Sequence, residues 1–143
     1  MQKTAILGCI LVTAALGLAS HAAQFGAPDT LEIERGQYLV EEVARCGMCH
    51  TPRDQRGGEN RSRRLQGGVI WFEPVQRIQD WAYAAPPLAG LPAYTRDEVV
   101  RILQTGMTPD GRKLRPPMPP FRLERGEAAA IVAYLKSLRP PVR

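Results

Sequence analysis

Histidine and cysteine are the scarce residues of this chain: two of the first and three of the second among 143 residues. The N-terminus makes them scarcer. Lys3 gives a short positive start, Ala5 to Ala19 is an almost unbroken apolar run, and Ser20-His21-Ala22 offers small residues for cleavage. That order predicts a secretory signal peptide over 1–22 and a single small domain over 23–143. The run is short for a membrane span; left uncut, it would serve as an N-terminal anchor. Cys9 and His21 belong to that leader, so the mature part keeps only Cys46, Cys49 and His50. Too few Cys and His ligands remain for a structural zinc site. No further apolar segment is long enough to cross a membrane, and there are no internal repeats. Lysine is sparse, and nearly all the positive charge is arginine. The formal charge of +5 becomes +4 without Lys3, which is too mild to mark a nucleic-acid binder by charge alone.

What is present is a cluster. Cys46-Gly47-Met48-Cys49-His50 sets two thiols three positions apart with an imidazole directly behind them. This is the attachment pattern of c-type haem. Each thiol adds across one vinyl group of the porphyrin to form a thioether, and the next residue is then held beneath the iron, where His50 can donate Nε2. The competing readings are a disulfide or a thioredoxin-like redox pair. The latter expects a preceding strand in a βαβ setting, and the sequence offers none.

The flanking chain predicts an all-α fold with long loops. Asp29 or Thr30 caps a helix at about 31–45, with Glu32 and Glu34 in its first turn. Leu39, Val43 and Cys46 fall on one stripe, with Glu41 and Glu42 off it. Gly36 is unfavourable inside a helix; either another helix approaches closely there, or the start of the helix tolerates it. Residues 51–68 read as a polar loop carrying Arg53, Arg56, Arg61, Arg63 and Arg64. Val69 to Phe72 is a short apolar patch with extended character. Trp71, Trp81 and Tyr83 need hydrogen-bond partners if buried, from a haem propionate or from ordinary packing. Thr95-Arg96-Asp97-Glu98 is a capping box that opens a helix at about 95–104, ended by Gly106. The last helix covers about 125–138 with Ala128, Ile131, Val132, Leu135 and Leu138 on its buried stripe.

The iron's second ligand is reached by elimination. His50 is the only histidine left after 1–22, and Met48 sits between the thioethers on the same side of the ring. Met107 and Met118 remain. Met118 lies among Pro116, Pro117, Pro119 and Pro120, whose fixed φ angles reduce the entropy lost in placing its sulfur. Met107 comes after Gly106 in a looser turn, so Met118 is preferred. A thioether opposite an imidazole favours ferrous iron, raises the potential and fills the sixth position.

With these pieces in place, the chain resembles a class I c-type cytochrome of the bacterial periplasmic kind. The matching pieces are Arg35-Gly36-x-Tyr38-Leu39, Cys46-x-x-Cys49-His50-Thr51, Leu88-Ala89-Gly90, Pro117-Met118-Pro119, and Ala130-Ile131-Val132-Ala133-Tyr134-Leu135. The resemblance implies one covalent haem c, N- and C-terminal helices crossing beside it, and a periplasmic location. It also implies a proline carbonyl accepting from His50 Nδ1, here from Pro86 or Pro87, although about 35 residues separate them from His50. The function it implies is single-electron transfer, as a soluble carrier or as the cytochrome subunit of a periplasmic dehydrogenase, with protein donors and acceptors. The cluster from Arg53 to Arg64 is either a solvated loop or a surface that steers an acidic partner. The alternative function is a haem-based ligand sensor or peroxidase-like enzyme, which needs a distal acid–base group; no histidine is left for it.

A domain this small has a modest core, and two thioethers leave no cysteine for a disulfide. The porphyrin therefore stands in for one. The secreted polypeptide kept haem-free is expected to show no cooperative melt by circular dichroism; a transition matching that of the red protein overturns this account.

Overall fold

The computed structural model describes residues 29–140, so the expected leader over 1–22 lies outside the described residues. Four helices carry the fold: α1 (Thr30–Tyr38), α2 (Gly47–His50), α3 (Arg96–Thr105) and α4 (Arg125–Ser137). Two short strands, β1 (Gly68–Val69) and β2 (Ala84–Ala85), pair antiparallel in a small ribbon.

The capping chemistry sets the helix starts. Asp29 accepts from the Leu31 backbone N–H at 2.6 Å. Thr95 and Glu98 close the capping box of α3, and Gly106 ends that helix in the left-handed region at φ 68°. Glu124 and Glu127 form a second capping box at the start of α4.

The expected first helix departs from the regular form near its end. After Tyr38 the chain continues as a π segment, Leu39–Val43. The wider turn inserts a residue and rotates the side chains beyond it about the helix axis. Val43, expected on the buried stripe, is 58% exposed, and Val40 is fully buried in its place. The same rotation carries Glu41 inward. Its carboxylate accepts from Tyr134 Oη at 2.7 Å and from Arg64 Nε at 2.8 Å, and pairs again with Arg64 through Oε2. The π segment, α4 and the polar loop are thereby tied at one half-buried point.

The core gathers Leu39, Val40, Leu65, Leu91, Val99 and Leu103 around the face of α4 formed by Ala128, Ile131, Val132 and Leu135. Helices α1 and α4 cross at Gly36. A Cβ built there would overlap the Ala130 carbonyl oxygen and lie 2.6 Å from its carbon and 2.9 Å from Tyr134 Cβ. Close approach therefore explains this glycine. Gly36→Ala is expected to lower the stability of the red protein by about 1–3 kcal/mol in a denaturant titration. Gly126→Ala meets nothing within 4 Å and should be neutral or stabilising by up to about 1 kcal/mol. Equal effects at both positions would remove the interlock as the cause.

Candidate functional site

The end of the first helix delivers the chain into a tight turn. Ala44 N–H donates to Leu39 O at 2.8 Å, and Cys46 N–H donates to Val40 O at 3.0 Å. Arg45 takes φ 49° between them. One turn of helix comes next as α2, with Cys46 as its N-cap. Residues three apart on a helix share a side, so the Cys46 and Cys49 side chains leave the backbone together. The thiols are not bonded to each other. Burial pushes the Cys46 thiol up to about 11, against the lowering effect of its backbone hydrogen bond. Burial also raises Cys49, with nearby Arg53 opposing. Both thiols are shifted upward, whereas a thiolate redox pair relies on a lowered one. Among the described residues, no group of three or more His, Cys, Asp or Glu side chains comes together to hold a metal ion.

His50 is buried at 6% exposure. Its Nδ1 lies 2.8 Å from the Pro86 carbonyl. A carbonyl only accepts, so Nδ1 carries the hydrogen and Nε2 keeps its lone pair. Of the two prolines the resemblance offered, Pro86 is the one in place. Burial lowers the His50 pKa, with the Pro86 bond opposing, so the imidazole is neutral, as an iron ligand must be.

The polar loop is bound to this turn. Leu65 N–H donates to Thr51 Oγ1 at 3.0 Å, and Gly67 N–H donates to His50 O at 2.8 Å. Leu65 O accepts from Leu88 N–H and Ala89 N–H at 2.8 and 3.0 Å. The arginine cluster accordingly divides. Arg64 points inward to Glu41 and Glu59. Arg53 donates to Gly57 O and Met48 O at 3.1 and 3.3 Å. Arg56, Arg61 and Arg63 are exposed. Sequence reasoning missed Glu41, Thr51, Arg64 and Tyr134 as supports. Only the Thr51 side of this could have been suspected, because it directly follows His50.

The methionine segments differ in their surroundings. Met107 belongs to a turn closed on itself: Leu114 N–H reaches Gly106 O at 3.1 Å, and Thr108 N–H reaches Arg112 O at 2.8 Å. The Met118 loop is fastened to the segment around Trp81. Arg115 donates through Nε to Asp80 O at 3.0 Å and through Nη2 to Trp81 O at 2.9 Å, and Ala82 N–H donates to Pro116 O at 2.6 Å. Trp81 is buried, and its Nε1 hydrogen has no acceptor among the described residues. An uncompensated buried donor is costly, and a propionate oxygen would satisfy it. Trp71 and Tyr83 are exposed. Paired free thiols, an imidazole with an open Nε2 and an orphaned indole donor together fit a covalent haem.

The comparisons agree with the geometry. The cytochrome c family model matches residues 33–139. The fructose dehydrogenase cytochrome subunit of Gluconobacter japonicus is 32% identical over 109 residues, 73% of this chain and 21% of that protein. A diheme cytochrome c-type protein of Cereibacter sphaeroides is 34% identical over 118 residues, 73% of this chain and 35% of that protein. The cytochrome c subunit of the quinone alcohol dehydrogenase of Gluconobacter oxydans is 34% identical over 80 residues, 52% of this chain and 16% of that protein. The chain thus spans only about a fifth to a third of the first two relatives. With a mostly helical core and an attachment turn that agree with the match, the chain belongs to the cytochrome c family, and with that membership come covalent haem c, its iron and electron transfer by that haem.

Proposed function

We propose that the chain is a single-haem carrier with His/Met ligation, working in the periplasm after loss of residues 1–22. Cys46 and Cys49 hold the porphyrin, His50 Nε2 is the proximal ligand and Met118 the distal one. The observation that carries this reading is the buried His50 ring, whose Nδ1 is fixed at 2.8 Å from the Pro86 carbonyl and whose other nitrogen is left for iron. The bound haem supplies a one-electron ferric–ferrous couple. The residues around it set its orientation, exclude water and tune its potential.

Support for Met118 over Met107 comes from the loops. Arg115 and the Pro116 carbonyl bind the Met118 segment to residues 80–82, beside the unpartnered Trp81 indole. The turn holding Met107 is bonded within itself and to the end of α3. A sulfur presented by a rigid loop also loses little entropy on ligation.

Two of the relatives are named as cytochrome subunits of dehydrogenases. This supports a role at the exit of such an enzyme, as a subunit or as a freely diffusing acceptor. Nothing in the geometry favours the ligand-sensor or peroxidase reading. The single Cys-x-x-Cys-His motif supports one haem, whereas one relative is described as diheme.

Met118→Ala is expected to lower the midpoint potential by on the order of 100 mV, a fraction of the ~0.8 V over which axial ligands act. Ferrous protein of this variant should bind carbon monoxide. Met107→Ala should change neither property. Redox titration and visible spectra check both, and an exchange of the two outcomes overturns the assignment.

A further inference from the structure

Beside the strand pair, which follows Gly67 and precedes Pro86, lies a groove of about 610 Å³. It is lined by Gly67-Gly68, the Ala84-Ala85 strand, Arg53, Arg63, Val69 and Trp71. Two bonds locate it relative to the ligand. Gly67 donates to the His50 carbonyl at 2.8 Å, and the Pro86 carbonyl that faces Nδ1 directly follows Ala85. The groove therefore lies beside the backbone that carries His50 and Pro86.

We propose that this groove is the docking site for an acidic, aliphatic-bearing surface segment of a protein redox partner. The proposal rests on the electron-transfer reading above and adds the place and chemistry of the contact.

Three features carry it. First, the groove has an apolar, aromatic wall. Val69 is 73% exposed and Trp71 56%, so two large apolar side chains face solvent side by side. Second, Trp71 is held in position. The Arg53 guanidinium lies 4.7 Å from its ring centroid, and Phe72 meets it edge-on at 5.2 Å. Phe72 in turn packs edge-on against buried Trp81 at 5.8 Å. An anchored tryptophan loses little freedom on binding, which is how interface hot spots are built. Third, the charge has one sign. No carboxylate lines the groove. Arg63 lies on its rim, with Arg61 and Arg56 exposed nearby; none of the three makes an ion pair among the described residues. Asp54, an acid of the same loop, is occupied by the backbone N–H groups of Arg56 and Gly58 at 2.8 and 3.0 Å. An apolar centre with a cationic rim complements a hydrophobic side chain flanked by Asp or Glu.

The test uses the ferrous holoprotein labelled with ¹⁵N and a probe peptide, Glu-Leu-Glu-Glu-Leu-Glu. Shifts are expected at the amides of Gly67, Gly68, Val69, Ala84 and Ala85 and at the Trp71 indole. They should fade as salt shortens the screening length from about 10 Å at 0.1 M to about 3 Å at 1 M. Arg63→Glu and Trp71→Ala should each weaken binding by about tenfold, while Arg101→Glu, at an exposed position of α3, should not. Four results overturn the proposal: shifts centred on the Met48–Cys49 edge, indifference to Arg63→Glu, an equal response to inorganic phosphate, and shifts from self-association before any peptide is added. A red, reducible protein that shows any of these loses the docking site alone, whereas a colourless protein loses the electron-transfer reading itself.

Discussion

The hydrogen bond between His50 Nδ1 and the Pro86 carbonyl is the constraint on which the site depends. An imidazole at the end of a one-turn helix has two free torsions and two possible tautomers. A single acceptor at 2.8 Å fixes both. That acceptor comes from 36 residues away, so the intervening chain has to be shaped to deliver it. The bonds from Leu65 to Thr51, Leu88 and Ala89 do this, and the small ribbon holds the final approach. The long polar loop is therefore the arm that positions the second side of the imidazole.

Much of this was legible in the sequence because its determinants are local. The Cys46-x-x-Cys49-His50 motif, the Thr95 to Glu98 capping box, Gly106 at a left-handed turn and the apolar stripe of α4 each declare themselves within a few residues. What was illegible depends on distant partners. The π segment at Leu39–Val43 leaves no mark in a periodicity that assumes regular turns. Its consequence, the exchange of Val43 for Val40 in the core and the inward turn of Glu41, was invisible for the same reason. Glu41 reads as a surface acid until Arg64 and Tyr134 are folded against it. The arginine-rich loop likewise looked uniform, yet Arg53 and Arg64 are structural while Arg56, Arg61 and Arg63 stay in solvent.

The half-buried Glu41 network also shows how a polar group is kept at the edge of a small core. Its carboxylate has a charged donor and a phenol within hydrogen-bond reach, so the cost of removing it from water is offset by directed contacts. The three partners come from the first helix, the last helix and the loop between them. A charge that is satisfied only when all three meet disfavours partial assembly of any two.

The meeting of α1 and α4 at Gly36 joins segments nearly a hundred positions apart along the backbone. Contacts of such long range are slow to form, because the closure of a large loop precedes any reward from it. Among the described residues, α1 has no mate until α4 reaches it. The attachment turn lies between them along the chain, so its two thiols and imidazole are already in place while the terminal pair is still open.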